Sequence, residues 1–207
     1  MARYGMVVDT ARCIGCMNCS VACKQENNLP ADTWWNRVYT VGGEDIDMPD
    51  GDFPHNTISY LSVNCQHCEN PACVKVCPVG ATWKDSETGI VRQEYDKCIG
   101  CRMCMAACPY TGVRSFNWDE PAYRTGVPTG SADVPAHQKH TVEKCVLCYH
   151  RVARGEDPAC TELCIARARF WGDLDDPESD VSKLIATREY KQLLPEEGTK
   201  PSVYYLV

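Results

Sequence analysis

Sixteen cysteines, arranged in four groups of four, are the residues of this 207-residue chain whose type and spacing could do chemistry. The groups are Cys13, Cys16, Cys19, Cys23; Cys65, Cys68, Cys73, Cys77; Cys98, Cys101, Cys104, Cys108; and Cys145, Cys148, Cys160, Cys164. None is left over. In groups one and three, CIGCMNCSVAC and CIGCRMCMAAC, three thiols recur every three residues and a fourth follows four residues later. Three thiolates on one tight loop can reach three irons of a cubane while its fourth iron faces away. The C-x2-C-x2-C-x3-C run is the [4Fe–4S] spacing, in which the fourth cysteine ligates the other cluster of a pair. Sixteen cysteines then make four complete sites with no substituted ligand.

Other chemistries of cysteine fit less well. A disulfide framework needs an oxidising compartment, and MARYGMVVDTARC leaves no room for the apolar core of an export signal before Cys13. Zinc takes paired CxxC units separated by a longer loop, not three thiols at intervals of three residues. The groups also differ among themselves. Cys77 and Cys108 precede prolines, whereas Cys23 precedes Lys24 and Cys164 precedes Ile165, restoring a backbone N–H beside groups one and four. Group two stretches to x2-x4-x3, and group four holds eleven residues between Cys148 and Cys160. Hydrogen bonds to cluster sulfurs help set potentials, so the outer groups are expected to differ from the inner pair.

The elements that must position these thiols follow from the intervening sequence. ATWK and GIVRQE around a turn at 85–89 read as a hairpin joining groups two and three. RVYTV (37–41) and TISYLSV (57–63) read as strands split by an acidic Gly/Pro-rich stretch. Groups one and four lie at opposite ends and can pair only if the chain returns on itself. The expected fold is therefore α+β, with two nested ferredoxin-like units. Residues 1–64 plus 143–175 form the outer unit, with a strand insert at 36–63, and residues 65–110 form the inner one. Residues 111–142, rich in Gly, Pro, Ser and Thr, show no helical or strand period and read as a surface or partner-facing loop. A C-terminal helix and tail occupy 176–207, with Asp176 as N-cap, Pro177 at the first helical position, and Val181, Leu184 and Ile185 on one face. Tyr204 and Tyr205 suggest a docked strand or a partner contact.

Composition excludes several functions. The net charge of −7 argues against a nucleic-acid partner, which needs clustered Lys and Arg. No apolar run approaches a membrane span. No Ser/His/Asp set, phosphate loop or dinucleotide fingerprint appears. Without cysteine, the hydrophobic share falls from 44% to about 36%, so metal–ligand bonds are expected to supply folding free energy that burial cannot. His67 and His150 read as packing or hydrogen-bonding residues. Lys97, Arg102, Lys144 and Arg151, beside cluster cysteines, could raise a potential or compensate charge. Compensation is the default, because four oxidised clusters take the formal charge to roughly −15. Trp34, Trp35, Trp83, Trp118 and Trp171 could shield clusters from water.

The four groups, their order and the length resemble the four-cluster iron–sulfur (beta) subunit of dimethyl sulfoxide reductase-type molybdopterin oxidoreductases. The likeness runs from YGMVVDTARCIGC through CQHCENPACVKVCP and CIGCRMCMAACPY to EKCVLCYHR. The tail looks like the polysulfide or thiosulfate, arsenate and transhydroxylase-type members, and the long insert like the arsenate type. ELCIARAR departs from the Cys-Pro that relatives often carry at group four. The resemblance implies ligand sets of Cys13, Cys16, Cys19 and Cys164 (site A); Cys23, Cys145, Cys148 and Cys160 (site B); Cys65, Cys68, Cys73 and Cys108 (site C); and Cys77, Cys98, Cys101 and Cys104 (site D). It implies single-electron transfer between an external donor or acceptor and a large catalytic partner holding a Mo or W bis-(molybdopterin guanine dinucleotide). A quinone-reactive membrane subunit or soluble carrier would complete the complex. The chain would be made in the cytoplasm and held at the membrane by partners, or co-exported with a signal-bearing partner. Two other functions stand against this one: a stand-alone iron–sulfur enzyme, which would need an iron left open by a missing ligand, and a zinc scaffold for protein contacts.

Overall fold

A computed structural model describes residues 2–42 and 45–207. Gly43 and Glu44, within the acidic stretch between the two expected strands, lie outside it, as does Met1. In chain order the elements are β1 (Tyr4–Asp9), α1 (Asn18–Glu26), β2 (Asn36–Val41), β3 (Ser59–Asn64), α2 (Ala72–Lys75), β4 (Thr82–Lys84), β5 (Val91–Gln93) and α3 (Met103–Ala106). They continue with β6 (Arg114–Phe116), β7 (Val142–Lys144), α4 (Tyr149–Val152), α5 (Ala159–Glu162), β8 (Arg169–Asp173), α6 (Asp180–Thr187), β9 (Tyr190–Lys191) and β10 (Val203–Leu206). The fold is α+β, built of short helices and small sheets.

One four-stranded sheet, in the order β8-β1-β10-β9, ties the two ends of the chain together. β1 runs parallel to β10 and antiparallel to β8. Its residues after Tyr4 are buried on both faces, and period-two alternation divides them. Met6 and Val8 pack with Cys19, Leu147, Cys160, Val203 and Tyr205. Val7 points the other way, onto Val181 and Leu206, with Leu184 and Ile185 of α6 beside them. The sheet thus separates the thiols from the C-terminal helix. Tyr204 and Tyr205 belong to β10, so the tail is a docked strand.

The expected strands at 37–41 and 57–63 form the antiparallel pair β2–β3, and the hairpin between groups two and three is β4–β5. Two expectations are corrected. The C-terminal helix begins at Asp180, not at Pro177, and its N-cap is Ser179, whose Oγ accepts from the Ser182 N–H at 3.2 Å. Asp176 instead forms a turn, accepting from the Glu178 N–H at 2.9 Å. Residues 111–142 are not without strand: Arg114–Phe116 pairs with Val142–Lys144. A three-residue strand is too short to show a period, and its partner lies across the whole insert. The rest of that insert lies against the end of α1. The Ser131 N–H donates to Glu26 O at 3.1 Å, the Ala31 N–H to Ala122 O at 2.8 Å, and Asn28 Nδ2 to Ser131 O at 2.7 Å.

Candidate iron–sulfur centres

Two ribbons close the distances that separate the cysteine groups in sequence. β1 leads into group one and β8 leaves group four, so their register, with Val8 opposite Arg169, sets Cys13 beside Cys164. The Asp9 N–H donates to Ala168 O at 2.7 Å and the Cys13 N–H to Asp9 O at 3.2 Å, fixing the loop. β6 leaves group three and β7 leads into group four, bringing their ends together. All sixteen thiols are free, and of them only Cys16 and Cys101 are exposed.

The thiol loops share a backbone device. Gly15 and Met17 have φ of +68° and +58°, and Gly100 and Arg102 have +68° and +60°. Each alternation precedes a helix: α1, which carries Cys19 and Cys23, and α3, which carries Cys104 and ends just before Cys108. Left-handed residues turn successive N–H groups inward, the geometry of an anion nest. Backbone N–H groups reach sulfur directly: Thr82 to Cys77 at 3.4 Å, Leu147 to Cys145 at 3.4 Å and Ala168 to Cys164 at 3.3 Å. The Lys24 N–H, expected near a cluster because proline is missing there, lies well inside α1 and serves the helical ladder instead.

The thiols come together as follows. Cys13, Cys16, Cys19 and Cys164 line one cavity, with Val8, Val38 and Arg169 in its wall. Cys77, Cys98, Cys101 and Cys104 line another, with Thr82 and Val142. Asn27 Nδ2 lies 3.7 Å from both Cys23 Sγ and Cys148 Sγ, joining groups one and four a second time. Cys68 and Cys108 pack against Val63, Tyr110 and Val113, and Cys65 packs with Cys23, Cys145 and Trp35. Among the described residues, no three Cys, His, Asp or Glu side chains converge tightly enough to grip a single ion.

Electrostatics fits an anionic iron–sulfur group at these places. Burial, then the neighbouring Cys145, Cys148 and Cys160, pushes the Cys23 thiol well above its ordinary value. Burial and Cys160 raise Cys148 to about 12, and burial and Cys65 raise Cys68 to about 12. Such thiols ionise when a metal takes the proton's place. Cys77 moves down: burial raises it, but the N–H groups of Thr82, Val79, Ala81 and Gly80 outweigh that. Buried cations stand among the thiols, with no carboxylate partner among the described residues. Lys144 Nζ donates to Val91 O and, at 2.9 Å, to Cys145 O. Arg169 donates to Ser62 Oγ and, at 2.8 Å, to Asn64 Oδ1. Both terminal nitrogens of the buried Arg114, and His67 Nε2, have no partner among the described residues. Unpaired buried donors are costly unless something anionic meets them.

Sequence reasoning gave no role to Arg114, or to Arg169 at the end of ELCIARAR, and the signal each offered was its place shortly after a cysteine group. The flanking residues it named do varied work. His67 Nδ1 accepts from the Val91 N–H at 3.2 Å, so its ring proton sits on Nε2; burial, then Lys144, holds its pKa well below the ordinary value. His150 Nε2 and Arg151 Nη1 both reach Glu26, at 2.9 and 3.0 Å. Trp35 is buried against Cys23, Cys65 and Cys145, a shield. Trp34 and Trp118 instead carry cations on their rings: Lys24 at 4.2 Å over Trp34 and Arg102 at 4.8 Å over Trp118. Arg92 lies 5.0 Å over Trp83, and Trp171 donates to Asp157 Oδ1 at 2.7 Å.

Residues 12–81, and again 56–126 and 123–174, match families described as 4Fe-4S dicluster domains. A putative dimethyl sulfoxide reductase iron–sulfur subunit of Halobacterium salinarum is 53% identical over 212 residues, covering 100% of this chain and 79% of that protein. This chain belongs to the iron–sulfur (beta) subunit family of dimethyl sulfoxide reductase-type oxidoreductases. The arsenate respiratory reductase iron–sulfur subunit of a Shewanella species is 40% identical over 233 residues, covering 99% of this chain and 96% of the relative. A selenate reductase subunit of Mesobacillus selenatarsenatis is 41% identical over 228 residues, covering 99% and 72%. As in this family, the chain is an electron-transfer subunit of a respiratory reductase-type complex. Among the described residues, no helix is long and apolar enough to cross a membrane.

Proposed function

We propose that this subunit holds four [4Fe–4S] clusters in two nested ferredoxin-like units and relays single electrons without substrate chemistry of its own. Cys13, Cys16, Cys19 and Cys164 would hold site A; Cys23, Cys145, Cys148 and Cys160 site B; Cys65, Cys68, Cys73 and Cys108 site C; and Cys77, Cys98, Cys101 and Cys104 site D. Residues 1–64 with 143–175 would make the outer unit and residues 65–110 the inner one. When bound, the clusters supply one-electron carriers. The chain's own residues ligate them, aim N–H groups at their sulfurs and exclude water. The observation that carries this reading is the pair of cavities at sites A and D, each lined by four cysteines from two groups. Groups one and four are joined by β1–β8 at site A, and groups two and three by the β4–β5 hairpin at site D. Cys16 and Cys101, the exposed thiols, belong to these two sites, which would exchange electrons with partners.

One partner is a larger catalytic subunit with a Mo or W bis-(molybdopterin guanine dinucleotide). The other is a quinone-reactive membrane subunit or a soluble carrier, with the complex peripheral to the membrane or co-exported with a signal-bearing partner. Dimethyl sulfoxide, arsenate and selenate, the substrates named for the relatives, mark the class of acceptor the catalytic partner would reduce. Anaerobically purified protein should contain about sixteen irons and as many acid-labile sulfides per chain, and it should co-purify with a larger molybdenum or tungsten protein. Zinc without labile sulfide would overturn the reading, as would a lone chain fully active on a substrate.

A further inference from the structure

The last cysteine of each proposed ferredoxin-like unit is followed by one buried arginine at an equivalent place. After Cys164, the last cysteine of the outer unit, β8 opens with Arg169; after Cys108, the last of the inner unit, β6 opens with Arg114. Both side chains are buried, and neither finds a carboxylate among the described residues.

Arg169 lies between the thiols of sites A and B. It lines the cavity of Cys13, Cys16, Cys19 and Cys164. Its terminal nitrogens donate to Ser62 Oγ and Asn64 Oδ1, and Nε has no partner among the described residues. Ser62 Oγ lies 3.5 Å from Cys19 Sγ, while Asn64 Nδ2 lies 3.9 Å from Cys145 Sγ. One guanidinium therefore acts on a site A thiol and a site B thiol through one neutral side chain each. Arg114 has the corresponding place for sites C and D. On the β6–β7 ribbon, Arg114 and Phe116 share a face, with Lys144 and Val142 opposite them. Val142 and Phe116 pack on Cys73 and Cys104, cysteines of sites C and D, which puts Arg114 on that face too. Its two terminal nitrogens have no partner among the described residues.

We propose that Arg169 and Arg114 are a matched pair of potential-setting residues, Arg169 raising the reduction potentials of sites A and B and Arg114 those of sites C and D. The proposal rests on the four-cluster reading. A guanidinium stays charged at any pH the protein meets. Reduction adds one electron to a site already negative, so a fixed cation nearby stabilises the reduced form more than the oxidised one, and the potential rises. Because each arginine stands between two sites, it moves both in the same direction and keeps a pair level, which a charge on one side could not do. The thiols around each arginine hold its own proton more tightly: burial alone would loosen it, but Cys160 and Cys19 around Arg169, and Cys73 and Cys104 around Arg114, outweigh that loss.

The test is a potentiometric EPR titration of the intact complex carrying Arg169→Gln or Arg114→Gln, after iron and sulfide are counted in each. Arg169→Gln should lower two of the four midpoint potentials, and Arg114→Gln should lower the other two. Arg169→Lys and Arg114→Lys should keep them near the wild-type values. Complementary, non-overlapping pairs of shifted signals identify the arrangement without prior assignment of any signal. Should Arg169→Gln fail to load clusters, Asn64→Asp, which sets a carboxylate against the guanidinium in place, should lower the same two potentials. Fully loaded variants with all four potentials unchanged, with one signal shifted, or with the same pair shifted by both substitutions overturn the proposal. Fewer than four clusters in the unsubstituted protein would instead overturn the reading it rests on.

Discussion

Gly15 and Gly100 occupy the same place in two like-folded thiol loops, yet alanine should cost different amounts at each. Both have φ of +68°, where an L side chain is strained by roughly 1–2 kcal/mol. A Cβ on Gly100 would stand 2.5 Å from the backbone oxygen of His140, which the His140 N–H to Asn117 O bond of 2.7 Å holds in place. Overlap that must be relieved by moving backbone adds about 1–3 kcal/mol. Gly100→Ala should therefore cost ~2–5 kcal/mol. A Cβ on Gly15 would meet the Tyr60 ring at 2.5 Å. That ring is a half-buried side chain and can swing away, so Gly15→Ala should cost less, nearer the strain alone. Gly198, with φ of +64° and nothing within 4 Å, supplies the strain-only reference. The assay is the guanidinium midpoint for loss of visible iron–thiolate absorbance, read anaerobically on the cluster-loaded protein. The expected order of cost is Gly198, then Gly15, then Gly100. Adding Tyr60→Ser to Gly15→Ala should recover the steric part and leave the strain. Gly100→Ala no more costly than Gly198→Ala would refute the reasoning.

Three more outcomes follow from the structure. Ser179→Ala should destabilise the sheet–helix layer by about 1 kcal/mol, seen in hydrogen exchange over residues 180–187, while Asp176→Ala should do much less; the reverse order would restore Asp176 as the cap. His137 donates to Glu143 Oε1 at 2.6 Å and to Asn27 O at 2.8 Å, both acceptors, which favours imidazolium. Burial alone would lower its pKa, but Glu143 raises it above the ordinary 6.5. With a folded pKa above the unfolded one, its contribution is complete below about 6.5 and is lost as pH rises through the folded value. Limited proteolysis of residues 111–142 should accelerate over that rise in wild type, and His137→Gln should remove the pH dependence. Chelating iron anaerobically should abolish the native circular dichroism, since thiols take part in most of the buried packing; an apoprotein with native dichroism would contradict that.

The cysteine spacing, the β4–β5 hairpin and the β2–β3 pair were legible because each is a local signal: thiols on one loop, a turn between alternating runs, β-branched residues in sequence. Local propensity misplaced the start of α6, since Asp176-Pro177 is as good an opening on paper as Ser179-Asp180. The difference is tertiary: Ser179 Oγ also donates to Asp173 O at 2.6 Å, fixing the cap to the end of β8. β6 was invisible for a related reason, its pairing residues standing on the far side of the insert.

The sequence by itself determined that this chain binds iron–sulfur clusters, because ligand chemistry is written in residue type and in intervals of three and four. It also raised the expectation, which iron chelation tests, that metal–ligand bonds supplement a core poor in ordinary apolar residues. Only the tertiary structure decided which groups meet, because that depends on strand register: Val8 opposite Arg169 brings group four back to group one, and Arg114 opposite Lys144 brings group three to group four. It alone decided where unpaired charge lies. An arginine outside any ligand motif reads as surface in a sequence; buried at the head of β6 or β8, with no carboxylate among the described residues, it stands among thiols instead.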